Sequence, residues 1–224
     1  MHLLVVGANG LLGSNVVDRA RDRGWDVGAT YHSEPPAFDL PTLELDIRNS
    51  SRFATLLDDS DPAAVVNCAA MTDVDGCQRE PELAQEINGS APGLLARACR
   101  ARGIGFCHIS TDYVFDGTES GLYSEAATPR PIQIYGKSKL AGDRAVRNAS
   151  PAALIVRPSF VYGVQRSDQS LTGFPAWVRS QLHSGGRIPL FDDQHITPSR
   201  AGQVASTLLQ LLKENADGTF NVAC

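Results

Sequence analysis

Tyr135 and Lys139 stand four residues apart in the run Tyr135-Gly136-Lys137-Ser138-Lys139, a spacing that puts both side chains on one face of a helix. A free phenol titrates near about 10 and exchanges protons poorly at neutrality, whereas an ammonium beside it favours the phenolate and lowers that value. The pair is suited to general acid–base chemistry, with Tyr135 handling the proton and Lys139 the charge and a cofactor's sugar hydroxyls. In isolation the same spacing is more often a solvated helix surface, so its companions decide. One is compositional: of twenty Lys and Arg residues only three are lysines, at 137, 139 and 213, and two of these fall in this run. Arginine, a bulkier planar fork, does not replace a lysine in that role.

A second companion is Ser110-Thr111-Asp112-Tyr113-Val114-Phe115-Asp116-Gly117, which follows the apolar run Gly105–Ile109. Ligands of an open parallel sheet bind at the carboxyl ends of its strands. Thr111 or Ser110 is placed there to donate to a substrate carbonyl oxygen and polarise it for hydride attack. The plainer alternative is a strand-end turn bonded to its own backbone.

The third is Gly7-Ala8-Asn9-Gly10-Leu11-Leu12-Gly13, between an apolar N-terminal run and a helical pattern. A glycine triplet alone is weak, but this context is that of a dinucleotide site. Gly7, Gly10 and Gly13 permit the tight turn, the approach of a pyrophosphate and close helix–strand packing, and the helix N-terminus favours the negative charge. A carboxylate about twenty residues on would select NAD. The stretch there reads Ala29-Thr30-Tyr31-His32-Ser33, with Asp26 at the wrong end of the strand and Glu34 beyond its tip. Nothing repels a 2′-phosphate, for which His32, Ser33 or a backbone amide would be donors, so NADPH is expected over NADH. Asp46, at the end of the third apolar run, either accepts from an adenine amino group or serves as an N-cap or turn residue for the next helix.

These residues require a scaffold of alternating strands and helices, and the sequence has that rhythm. Apolar runs at His2–Val6, Asp26–Thr30, Leu43–Asp46, Ala63–Asn67, Gly105–Ile109 and Ala152–Val156 alternate with helical patterns at Leu11–Arg23, Asn49–Leu57, Pro81–Arg102 and Tyr135–Asn148. The expected fold is α/β, a doubly wound parallel sheet of the Rossmann type. After Arg157-Pro158 the pattern loosens, with helical periodicity at Ser170–Leu182, a short run at Ile188–Phe191, a helix at Ser199–Glu214 and a strand at Gly218–Val222. The expected organisation is a dinucleotide-binding domain over 1–156 on which the helix at 199–214 packs, and a partial substrate-binding region at 157–198 and 215–224.

Composition narrows the remaining classes. At 224 residues, 42% hydrophobic and 20% charged, the chain is long and apolar enough for a full core. The net charge of −5, without a basic run, argues against nucleic acid or an anionic membrane as partner. The N-terminus lacks a basic n-region and a spanning apolar run, so a cytoplasmic location is expected. Five scattered cysteines without a Cys-x-x-Cys pair read as buried, reduced thiols, and five scattered histidines give a metal site no support.

GANGLLG at 7–13, NCAAMTDVDGCQREPELAQEIN at 67–88, STDYVFDG at 110–117, YGKSK at 135–139, RPSFVYG at 157–163 and DDQHITPS at 192–199 together resemble the extended short-chain dehydrogenase/reductases, and within them the dTDP-4-dehydrorhamnose reductases. The resemblance implies Tyr135 as general acid, Lys139 as its electrostatic partner and ribose ligand, and Thr111 as the carbonyl-orienting hydroxyl. It implies cofactor contacts at Gly7, Asn9, Gly10, Leu11, Asp46, Ile47, Ala69, Ala70 and Thr72, with the nicotinamide near Pro158. A nucleotide-linked 4-keto sugar, dTDP-linked in these relatives, would lie between Pro158 and Tyr135, against Thr72, Val74, Asp112, Tyr113 and Phe160. The family typically has Trp where this chain has Phe160. Such reductases continue past the point where this sequence stops, so an incomplete substrate domain is expected. Homodimers are common in the family. The same signatures are similar to the NADP-binding regulatory subunit of methionine adenosyltransferase, and a nucleotide-sugar epimerase or dehydratase would keep the same Tyr–Lys pair.

Overall fold

Leu3, Leu4, Val5 and Val6 are all buried because their strand is covered by helices on both faces, which is why the run is apolar without alternation. In chain order, the computed structural model has β1 (His2–Val6), α1 (Leu11–Asp22), β2 (Asp26–Tyr31), β3 (Thr42–Glu44), α2 (Ser50–Ser60), β4 (Ala64–Asn67), α3 (Val74–Arg79) and α4 (Pro81–Ala84). A π-helical segment at Gln85–Ser90 leads into α5 (Ala91–Arg100), then β5 (Gly105–Ile109), a 3₁₀ turn at Asp112–Val114, α6 (Ile134–Ala149) and β6 (Leu154–Pro158). The chain continues through β7 (Val161–Gln165), β8 (Ser170–Thr172), α7 (Phe174–His183), β9 (Ser199–Arg200), α8 (Ala201–Lys213) and β10 (Gly218–Val222). The structure describes residues 1–224 except Phe191, Gln194 and Cys224.

Seven strands form one sheet in the order β10-β6-β5-β4-β1-β2-β3, every neighbouring pair parallel. The order reverses between β1 and β4, and the crevice at their carboxyl ends is where a doubly wound sheet binds ligands. Successive residues of β1 feed opposite layers. Leu3 and Val5 pack with Val16 and Val17 of α1 and Val204 and Leu208 of α8, while Leu4 and Val6 pack with Phe53 and Leu57 of α2 and Leu95 of α5. Each such fully buried side chain contributes roughly 1.5–3 kcal/mol.

A second sheet, in the order β8-β7-β9, lies beyond Pro158. Its central strand is stitched to the first helix: Asn15 Nδ2 donates to the Val164 carbonyl at 2.9 Å, the Arg166 amide donates to Ser14 Oγ at 2.9 Å, and Ser167 Oγ donates to the Asn9 carbonyl at 3.2 Å.

Several expectations are corrected. The helix expected over Pro81–Arg102 is α4, the π segment and α5 in succession, and α3 precedes it unannounced. Residues 170–172 and 199–200 are strands, not helix starts. Of the short run at Ile188–Phe191, residues 188–190 form no helix or strand, and Phe191 lies outside the described residues. Residues 218–222, assigned by sequence to the substrate region, pair with β6 from Gly218↔Leu154 to Val222↔Pro158 and extend the main sheet. Cys77, Cys99 and Cys107 are buried free thiols and Cys68 is half-buried; Cys224 is outside the described residues. Among the described residues no metal-ligating cluster occurs and no helix is long and apolar enough to cross a membrane.

Candidate active site

Gly7 has φ +77°, and a Cβ there would lie 2.7 Å from the Ala69 backbone nitrogen, so the first turn and the loop after β4 approach as closely as they do only because this residue is glycine. A Cβ at Gly13 would strike the Gly7 carbonyl, whereas Gly10 faces open space apart from that same oxygen at 3.6 Å. Helix α1 starts after Gly10 with no side-chain cap and no acidic residue in its first turn. Its N-terminal amides are left for an external anion, which the macrodipole favours. This cradle fits a dinucleotide pyrophosphate.

The adenosine end differs from the sequence reading in one respect. Asn9 Nδ2 donates to the Glu34 carbonyl at 3.1 Å, tying the turn to the loop after β2, where His32 and Ser33 are exposed. Asp46 caps no helix, since α2 is capped by Asn49, whose side chain accepts from the Arg52 amide. Asp46 instead accepts from the Arg48 amide at 2.9 Å and is forked by its guanidinium, at 2.6 Å from Nη2. That hydrogen bonding holds the Asp46 carboxyl below its usual range. Arg48 also lies 3.6 Å from Glu86, and His32 lies 3.9 Å from Asp46. Sequence reasoning overlooked Arg48, a cation two residues past the acid it did single out. Ile47 is buried beside it.

The loop after β4 is pinned from two sides. Asn67 Oδ1 accepts from the Ala69 amide at 3.2 Å. Asn88, in the π segment, accepts from the Met71 amide and donates to the Met71 carbonyl, both at 2.9 Å, and also donates to Ser138 Oγ at 3.1 Å. Asn88 was missed too; its signal was a polar residue followed by glycine on an otherwise apolar helical face.

Tyr135 and Lys139 project from α6 into a cleft of about 560 Å³. Of the residues singled out by sequence, Gly10, Leu11, Gly13, Ala70, Thr72 and Val74 line one part of it. Thr111, Asp112, Tyr113, Tyr135, Lys139, Pro158 and Phe160 line another. Gly7, Asn9, His32, Ser33, Asp46, Ile47 and Ala69 are not on its wall. Thr111 caps the 3₁₀ turn, accepting from the Tyr113 amide at 3.2 Å, and its hydroxyl contacts both Asp112 Oδ1 at 3.3 Å and the Tyr135 phenol. The backbone-bonded turn and the hydroxyl in the cleft are therefore the same residue. Ser159 Oγ donates to Asp112 Oδ2 at 2.6 Å, yet burial keeps that carboxyl above its usual range. Tyr113 meets Tyr135 edge to face at 5.6 Å between centroids. Phe160, with φ +36°, sits in the strained break between β6 and β7 and meets Phe174 at 5.7 Å.

The electrostatics reverse one expectation. Tyr135 is pushed up to about 12, chiefly by burial, with the Thr111 contact opposing and Asp112, Cys77 and Tyr113 reinforcing. Lys139, one turn on, does not reverse that rise; its Nζ donates to the Ile109 carbonyl at 2.6 Å. Burial brings Lys139 down to about 8, against the opposing charge of Asp143. At neutrality the pair is thus a phenol that carries its proton and a predominantly charged ammonium.

A doubly wound sheet with an open glycine cradle at its switch point and a Thr–Tyr–Lys set in the adjoining cleft defines an NAD(P)-dependent oxidoreductase of the extended short-chain dehydrogenase/reductase type. Residues 1–224 match the family model described as RmlD substrate binding domain, and the chain belongs to that family. It is 54% identical over 223 residues to a Haloferax volcanii protein named probable low-salt glycan biosynthesis reductase Agl14, covering 100% of this chain and 74% of that one. It is 35% identical over 213 residues to the dTDP-4-dehydrorhamnose reductase of Mycolicibacterium smegmatis, covering 94% and 60%. The crystal structure of a Bacillus anthracis dTDP-4-dehydrorhamnose reductase in complex with NADP superposes with a TM-score of 0.86 at 28% identity, covering 99% of this chain and 74% of that one. The chain thus spans 60% to 74% of the length of these relatives.

Proposed function

We propose that this protein catalyses NADPH-dependent reduction of the 4-keto group of a nucleotide-linked deoxyhexulose, with a dTDP-linked sugar as the leading substrate. The observation that carries the reading is the convergence of Thr111, Tyr135 and Lys139 on one cleft that also receives the open end of the glycine turn. The hydride comes from NADPH when that cofactor is bound. The free amides at the start of α1 hold its pyrophosphate, and the loop at Ala69–Thr72, braced by Asn67 and Asn88, forms the facing wall. Thr111 orients the substrate carbonyl oxygen, and Tyr135, whose phenol keeps its proton through the neutral range, delivers that proton to the developing alkoxide. Lys139 holds a positive charge beneath the reacting oxygen and a cofactor ribose hydroxyl. Asp112, tied down by Ser159, presents a polar edge to the sugar.

The reading is supported by the names of the relatives at 35% identity and by the NADP bound to the Bacillus anthracis enzyme. The test is NADPH oxidation, followed by absorbance, against a panel of nucleotide-linked 4-keto sugars. Oxidation that depends on the keto sugar is the expected result. Tight NADPH binding without oxidation by any member would overturn the reading in favour of a cofactor-binding regulatory subunit.

A further inference from the structure

Behind the catalytic face lies a buried polar cluster that the reaction does not consume. Helix α6 repeats Tyr135, Lys139 and Asp143 at intervals of four, so the third member continues the stripe of the first two. Lys139 and Asp143 are both buried, at 1% and 4% exposure. Asp143 Oδ2 accepts two hydrogen bonds from Arg157, at 3.1 Å from Nε and 2.9 Å from Nη2. Its other oxygen, Oδ1, is buried with no hydrogen-bond partner, and so is Nε2 of His108, 4.0 Å away.

The tautomer of His108 follows from its other neighbour. Asn67 Oδ1 accepts from the Ala69 amide, which fixes the amide orientation and leaves Nδ2 to donate to His108 Nδ1 at 3.3 Å. Nδ1 is then the acceptor, the imidazole proton resides on Nε2, and it points toward the free oxygen of Asp143. Glycine at 142 lets α6 lie close against the π segment, since a Cβ there would strike the Asn88 carbonyl, and the same position borders His108 Nε2 at 3.5 Å. The cluster runs from the cofactor loop at Ala69 through Asn67, His108 and Asp143 to Arg157, the residue before Pro158.

We propose that Asp143 is a positioning residue for the Tyr135–Lys139 pair: held by Arg157 and faced by a neutral His108, its carboxylate supplies the counter-charge that keeps Lys139 an ammonium inside the fold. The groups facing Lys139 are few. They are Asp143 on α6, His108 on β5, the thiols of Cys68 after β4 and Cys77 on α3, and, beyond Asp143, Arg157 on β6, with Tyr135 one turn earlier on the same helix. Asp143 is the one carboxylate among them. His108 stays neutral because burial and the Lys139 charge both disfavour its protonation, so it leaves the carboxylate's charge directed at Lys139. The inference rests on the proposed reaction only for its kinetic consequence, not for the titration itself.

The low lysine count makes the test direct. With ¹³C-labelled lysine the protein gives three side-chain ε signals, and Lys137→Arg and Lys213→Arg assign the exposed two. Lys139 should titrate near 8 in the wild type. Asp143→Asn, which keeps an acceptor for Arg157, should lower that midpoint by about one pH unit, and Asp143→Glu should restore it. Arg157→Gln, which removes the competing cation, should move it the opposite way and carries the test if Asp143→Asn does not fold. The alkaline limb of kcat/KM should move with the same signs. A Lys139 midpoint that is the same in the wild type and in whichever of these two variants folds would overturn the proposal. A midpoint that moves as stated in a protein that oxidises no NADPH would leave it standing while overturning the proposed reaction.

Discussion

The ammonium of Lys139 donates to the Ile109 carbonyl at 2.6 Å, which anchors the base of the catalytic helix to the end of β5. The lysine is therefore a strut as well as a charge. Lys139→Met should keep the fold but lower kcat by roughly 10²-fold or more, because one of the groups that serve the proton transfer is gone. Lys139→Arg should do no better, since the planar fork does not fit a site only 1% exposed. Recovery of most of the wild-type kcat in the arginine variant would remove the strut from the account.

Tyr135→Phe tests the proton donor separately. Loss of turnover by about 10²- to 10⁴-fold is expected, with NADPH affinity by fluorescence titration nearly unchanged. Persistent turnover would assign the proton to another group, of which Asp112, joined to the phenol through Thr111, is the nearest by hydrogen bonding.

Stability should depend on pH at both ends of the range. An unfolded lysine keeps its proton up to about 10.5, whereas Lys139 releases it near 8. At that site the unfolded state therefore binds more protons between those values, and Lys139 contributes a rise in stability with pH of up to about 1.4 kcal/mol per pH unit. The rise is read as the difference between the wild type and Lys139→Met, because the buried thiols of Cys68, Cys99 and Cys107, held above their ordinary value, work in the opposite direction. His108 is held well below its ordinary 6.5 by burial, so on the acidic side the unfolded state again takes up a proton that the folded state refuses. Stability should fall as pH drops below about 6.5, and urea midpoints of His108→Gln should lack that acidic slope.

Arg48, with His32 beside Asp46, stands near the tips of β2 and β3, and no carboxylate ends β2. Arg48→Ala should raise the KM for NADPH relative to that for NADH by about tenfold, equivalent to about 1.4 kcal/mol. An unchanged ratio would place the 2′-phosphate elsewhere.

The residues of the site were more legible than the structure that holds them. β1 could be read from Leu3-Leu4-Val5-Val6 because burial on both faces leaves a continuous apolar run, and Gly7, Thr111, Tyr135 and Lys139 each carry a side-chain requirement visible in one letter. The π segment could not be read that way, since its extra residue per turn changes the hydrogen bonding around Asn88 without changing composition. The strands β7, β8 and β9 are two to five residues each and owe their existence to pairing partners far along the chain. Gly218–Val222 was visible as a strand, but its pairing with β6 was not. The high pKa of Tyr135 was hidden for another reason: spacing shows that a lysine is near, and only the fold shows how far the phenol is withdrawn from water.

Three hydrogen bonds, accepted by Ser14 Oγ and the Asn9 carbonyl and donated by Asn15, tie residues 164–167 on the far wall of the cleft to the glycine turn and the start of α1. That wall is consequently fixed furniture. The helix Phe174–His183, which meets Phe160 of the cleft through Phe174, buries none of its residues fully and is not held in the same way. The glycine cradle and the wall at residues 164–167 are thus mechanically one part.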